Sequence, residues 1–220
     1  MKQGGAYLAR NLSFRGASLE VVPLPLEPAL RAQYDAAAEW WATVIAELQR
    51  HTRRAAETRG ARTEGAGGAE SPSGAGAGVV RQVWAAHQRF WGHMCLAAKV
   101  PGVVRLAREA LAAGKAVVIG LQSTGESLSG PSGGAEAGSG STAGGIMAEL
   151  LEGCGRSILS GAVMARLAAG AAGMQLPLNP LDHVIDALGG PEEVAEMTGR
   201  RWRQVRRARG GPWEWDERRG

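Results

Sequence analysis

The chain has 220 residues, 45% of them hydrophobic, 33 glycines and a formal net charge of +4, with an isoelectric point near 9.6. This length suffices for one or two domains with a packed core, but long Ala/Gly/Ser tracts predict that part of the chain stays outside that core. Cys95 and Cys154 lack CxxC or nearby histidine spacing, which argues against a disulfide framework or metal site, and no apolar run approaches the roughly 20 residues of a membrane span.

No charged-then-apolar signal opens the chain, so an intracellular, soluble protein without a membrane partner is expected. Residues 1–26 form a turn-rich leading segment whose SLEVVPLPL run suggests a strand, demoted to an edge by Pro23 and Pro25. In residues 27–59, Leu30, Tyr34, Ala37, Trp41, Val44, Ile45 and Leu48 recur at three- and four-residue steps, and Pro28 suits a first turn. The spacing predicts a long amphipathic helix from about Pro28 to about Thr58. Trp40 and Trp41 stand about 100° apart on such a helix, so only one is expected at the centre of its stripe.

Residues 60–78 have the composition of a disordered linker. In residues 79–126 a second stripe, Val83, His87, Phe90, Trp91, Met94, Cys95 and Ala98, fits an antiparallel partner for the first helix. His87 and His93 lack a surrounding carboxylate set, which favours packing over catalysis. Val100, Val103, Val104, Ala107 and Leu111 then predict another helix, with Pro101 near its start and Gly114 at its end. Val117, Val118 and Ile119 follow as a β-branched run without alternation, the pattern of a strand covered on both faces. Ligands in open α/β sheets lie beyond the carboxyl ends of strands, which makes Gln122, Ser123, Thr124, Gly125 and Glu126 a candidate ligand-facing loop. GLQSTGES has the glycine spacing of a phosphate loop, but Glu126 occupies the position of the lysine and would repel the phosphates that a lysine neutralises.

Residues 127–175 suggest a low-complexity insert with weak helices carrying Ile146, Leu150, Leu151, Ile158, Val163, Met164 and Leu167. In residues 176–220, Leu181, Val184, Ile185 and Leu188 predict a short helix stopped by Gly189 and Gly190. Pro191, Glu192 and Glu193 suit the first turn of another, bearing Val194, Ala195 and Met197 and ended by Gly199. Beyond it two shapes compete. Ala195, Gly199 and Val205 have helix-turn-helix spacing, with a recognition helix from about Arg201. Alternatively RWRQVRR and PWEWDE form a β-hairpin through Arg209, Gly210 and Gly211, which the alternation of Trp213 and Trp215 favours. In either shape Arg200, Arg201, Arg203, Arg206, Arg207 and Arg209 are candidate contacts for nucleic-acid phosphates.

VVIGLQSTGE, VWAAHQRFWGHMCLAAKV, LDHVIDALGGPEEVAEMTGR and the opening MKQGGAYLARNLSF together resemble the strawberry notch family of helicase-like transcriptional regulators. The resemblance implies a nuclear, helicase superfamily two-related ATPase with RecA-like lobes acting on chromatin, of which this chain is a middle fragment. The expected fold is then mainly α with an α/β fragment. A long helical hairpin leads into the helix-strand start of a RecA-like second lobe at VVIGLQSTGE, followed by a short helical pair and the β-hairpin. After that loop, SLSGPSGGAEAGSGS departs from the family pattern.

The sequence contains neither G-x-x-x-x-G-K-[ST] nor D-E-x-[DH], so the lysine and metal-holding acids that stabilise phosphoryl transfer are missing. No catalytic residue, metal or cofactor is therefore expected in this chain alone. ATP and Mg²⁺ would enter only with flanking lobes, and the candidate partners are those lobes, DNA and chromatin proteins. The alternative function is a small basic nucleic-acid or chromatin binding module.

Overall fold

The computed structural model describes residues 16–63, 74–124, 142–208 and 210–218. Helix α1, Pro28–Thr63, begins at its proline as expected and buries Ala37, Trp41, Val44 and Leu48. Helix α2, Gly74–Ala112, runs alongside it. Tyr34 meets Trp91 with ring centroids 4.5 Å apart, and Trp41 meets His87 at 5.1 Å. Rising numbers on one helix thus face falling numbers on the other, and the pair is an antiparallel hairpin. Trp40 is buried as well, contrary to the expectation of one central tryptophan, because a further helix, described below as α5, covers its side of α1. A helix with neighbours on two sides buries more than a single stripe.

Two expectations for α2 are corrected. The helix is continuous through Pro101, which lies inside it and not near its start. Proline removes one backbone donor, but Ala97, Val100, Val104 and Ala107 are buried on both sides of it, and that packing carries the helix across the lost bond. Cys95, expected on the buried stripe, is exposed; the buried line instead steps through Val83, Ala86, Phe90, Met94 and Ala97. Gly114 does end the helix. Its φ is +70°, and Lys115 N–H donates to Ala110 O at 3.0 Å while Gly114 N–H donates to Leu111 O at 2.9 Å, a Schellman closure.

The strand expected at Val117–Ile119 is not formed. Residues 115–121 lie outside helix and strand with no sheet partner among the described residues, and Val118 is 95% exposed. A parallel strand needs neighbours delivered by crossover connections, and the described residues deliver none. Ile119 packs inward, against Val100, Val104 and Val184, and Val117 is half-buried. The SLEVVPLPL run likewise forms no strand, leaving Leu19 and Val21 exposed, although Leu24 lies over Gly102 of α2.

The linker expected at 60–78 is helical at 60–63 and 74–78; its middle, 64–73, lies outside the described residues. Within the insert expected at 127–175, helices are present from Thr142 onward. Helix α3, Thr142–Leu150, continues through a π-helical turn at Leu151–Gly155 into the short α4, Arg156–Ile158, and then α5, Gly161–Gly173. Ile146 and Met147 are fully buried in one core with Trp41, Val83 and Phe90. Tertiary burial, more than intrinsic preference, stabilises these glycine-containing helices.

Helix α6, Pro180–Ala187, ends at Gly189 and Gly190, whose φ values of +114° and +91° suit glycine. The second helix expected at Pro191–Met197 is only a turn over 191–193, and Met197 is 97% exposed. Arg218 holds the end of this segment and the residues after it. Its Nη1 donates to Thr198 O at 2.8 Å and Arg200 O at 3.0 Å, and Nη2 to Glu196 O at 3.0 Å, holding carbonyls in a non-helical path. Strands β1, Trp202–Val205, and β2, Glu214–Glu217, then pair antiparallel in the register Trp202↔Glu217, Arg203↔Asp216, Gln204↔Trp215 and Val205↔Glu214. The segment is a hairpin, and the helix-turn-helix alternative is set aside. The molecule is mainly α with this small β part.

Candidate ligand-facing loop and basic hairpin

Of the candidate loop, Gln122, Ser123 and Thr124 are described; Gly125 and Glu126 lie outside the described residues. Gln122 and Ser123 are exposed. Thr124 is tied down by a residue that no sequence motif singled out. Asn179 caps α6, its Oδ1 accepting from the backbone N–H of Leu181 at 2.9 Å and of Asp182 at 3.4 Å. Its Nδ2 donates to Thr124 O at 2.9 Å and to Thr142 Oγ1 at 3.1 Å. One buried amide thereby joins the end of the loop, the start of α3 and the start of α6. Asn followed by Pro at a helix start is a capping signal, which would have revealed half of this role.

The described loop side chains are one amide and two hydroxyls, with no cation among them. Among the described residues no group of at least three His, Cys, Asp or Glu side chains is arranged to hold a metal ion. This donor set does not fit ATP with Mg²⁺ by itself, since nothing in it offsets the charge of a triphosphate.

The hairpin arginines meet carboxylates. Arg200 is not at the surface: its side chain is wholly buried, 2.6 Å from both Asp182 and Glu196. It is thus a structural ion and not a phosphate contact. Burial pushes the Asp182 carboxyl above its usual range, against the lowering effect of Arg200 and of the Gln204 N–H donated at 3.1 Å. For Glu196 burial acts upward, but hydrogen bonds from Arg200 and Thr198 outweigh it, and its pKa is lowered. Arg200 itself is raised, as its carboxylate partners overcome the effect of burial.

Arg203 Nε donates to Asp216 Oδ2 at 2.8 Å across the strand pair, and Arg201 Nε to Glu217 Oε1 at 2.7 Å. Arg207 Nε donates to Glu214 Oε2 at 2.6 Å. Arg206 lies over the Trp213 ring, 4.4 Å from its centroid, with Asp186 at 3.9 Å. Arg209 lies outside the described residues. The exposed pairs Arg201–Glu217 and Arg207–Glu214 are worth about 0.2–1 kcal/mol each, so they could be surrendered to a stronger anion.

The two histidines are packed. His87 Nε2 accepts from Trp91 Nε1–H at 2.9 Å, and His93 is buried, with burial and then Arg89 lowering its pKa.

A helical hairpin carrying a capped loop and a C-terminal β-hairpin is thus the architecture, and its last segment has a recognised class: residues 179–220 match the C-terminal domain on strawberry notch homologue. The chain is 45% identical over 134 residues to protein strawberry notch homolog of Caenorhabditis elegans, which covers 58% of this chain and 6% of that protein. It is 42% identical over 126 residues to protein strawberry notch homolog 2 of Homo sapiens, covering 57% and 8%. Protein FORGETTER 1 of Arabidopsis thaliana is 41% identical over 126 residues, covering 57% and 9%. The strawberry notch resemblance therefore holds over more than half of this chain, which carries sequence of that helicase C-terminal type and spans less than a tenth of these relatives. No solved structure matches. No helix among the described residues is long and apolar enough to cross a membrane.

Proposed function

We propose that this chain supplies part of the second, RecA-like lobe of a strawberry notch-like regulator of transcription or chromatin in the nucleus, and is not catalytically competent by itself. One observation carries the reading. The apolar run at Val117–Ile119 has no sheet partner among the described residues and Val118 is 95% exposed, yet Thr124 just beyond it is tied to the buried Asn179. A β-branched run leading to a tethered polar residue has the character of a sheet element awaiting neighbouring strands. The remaining lobes supply those strands, together with the lysine, metal-holding acids and ATP–Mg²⁺ that the loop does not accommodate alone. DNA or chromatin proteins are the partners that follow from this role.

The test is ATP hydrolysis. The chain alone should show no turnover above a no-protein control, with or without DNA, because its sequence lacks the phosphate-loop lysine and the paired metal-holding acids and the described part of the loop carries no positive charge. Turnover that survives repurification and tracks the protein peak would contradict the reading.

A further inference from the structure

A cleft of about 730 Å³ opens where the end of α2 meets the end of α6 and the connection that follows β1. Its lining brings together groups distant in sequence: Arg108 from α2, Asp186 from α6, the wall at Gly189 and Gly190, and Arg206 and Arg207. A Cβ at Gly190 would meet nothing within 4 Å, so the wall is open there, whereas at Gly189 the Glu193 side chain closes it.

The guanidinium groups are only partly engaged. Arg108 Nη2 donates to Ala187 O at 2.6 Å, which fixes the side chain over the end of α6. Arg206 is held by the Trp213 ring and by Asp186 at 3.9 Å, beyond hydrogen-bond distance. Arg207 uses its Nε on Glu214. Each guanidinium carries five N–H donors in a planar fork, so each retains donors, and the cleft stays net positive even with Asp186 and Glu214 counted. Such forks suit the oxygens of a phosphate group.

Size and the one lining carboxylate narrow the ligand. The volume falls within the range of about 300–1,000 Å³ typical of small-molecule sites. Asp186 would repel a continuous polyanion but would accept a hydrogen bond from a hydroxyl group. We propose that this cleft binds a small phosphate monoester bearing hydroxyl groups, of the nucleoside or sugar phosphate class, with its phosphate on Arg108, Arg206 and Arg207. This site is separate from the Gln122–Thr124 loop and does not depend on the helicase reading.

The experiment is calorimetric titration of the full chain at low salt with inorganic phosphate, with AMP and with a 20-base-pair DNA duplex. Wild type should bind AMP and phosphate, and Arg108→Gln should weaken both by roughly tenfold, the scale of losing a hydrogen bond to a charged group. Arg89→Gln, which breaks an exposed pair with Glu149 elsewhere on the surface, should leave binding unchanged. Asp186→Asn should tighten inorganic phosphate by a few-fold on removal of a like charge, a gain that misfolding cannot produce. Absence of binding by phosphate and AMP, equal loss in Arg108→Gln and Arg89→Gln, no tightening in Asp186→Asn, or binding of the duplex alone would each overturn the proposal.

Discussion

At the scale of single residues, two buried polar groups decide how the C-terminal third is held. Asn179→Ala removes both the α6 cap and the tether to Thr124 and Thr142. Loss of the cap alone costs about 0.5–2 kcal/mol. Asn179→Asp keeps an acceptor for the cap but loses the donors, so it should fall between wild type and Asn179→Ala in urea unfolding followed by tryptophan fluorescence. Equal stability of all three proteins would show that the amide carries no structural role. Arg200→Met should be far more damaging, by about 3–5 kcal/mol, because Asp182 and Glu196 would be left as buried carboxylates without their cation.

The same cluster gives a pH dependence. Glu196 has a lowered folded pKa, so it stabilises the fold above its unfolded value of about 4.3 and this contribution is lost as pH falls through the lowered folded value. Asp182 has a raised folded pKa, so its ionisation at higher pH costs stability and protonation relieves that cost. Urea midpoints measured from pH 3 to 7 should therefore show a shallower fall in acid for Glu196→Gln than for wild type. A steeper fall would contradict this assignment.

Among the elements, the helical hairpin depends on a contact far away in sequence. Trp40 Nε1 donates to Leu167 O at 2.9 Å and so joins α1 to α5. Trp40→Phe keeps an aromatic ring but removes the indole N–H, while the Leu167 carbonyl stays within the helical ladder of α5, and the lost bond should cost about 0.5–1.5 kcal/mol by thermal or urea unfolding; a neutral effect would mean that solvent replaces the bond. The long helix α1 and the Gly114 stop were legible because spacing and terminal signals are local, whereas the continuity of α2 through Pro101 was not, because packing on both sides of the proline decides it. The roles of Trp40, Ile146 and Met147 were not, since they depend on which helices fold back over α1 and α2. The hairpin was legible from alternating Trp213 and Trp215. Its ion pairs were not, because attention to arginines alone left Asp216, Glu217 and Glu214 uncounted, although hairpin register places Arg203 opposite Asp216. Arg218 was missed for a similar reason: its work is to bind three backbone carbonyls, which side-chain patterns do not reveal.

For the whole molecule, the family resemblance was legible in sequence blocks, whereas the state of Val117–Ile119 was not, since a strand's existence depends on its neighbours. The central claim is that this run is a sheet element whose partners lie in other segments of strawberry notch-like proteins. Amide hydrogen exchange of residues 116–121, measured with and without the remaining helicase-type segments of a strawberry notch relative, tests it most directly. Alone, these amides should exchange near the rate of an unstructured chain while those of Ala97 and Val104 in α2 are protected, and the added segments should slow them by tenfold or more, the change expected for amides entering a sheet ladder. Slow exchange in the isolated chain, or no slowing when those segments are bound, would contradict it.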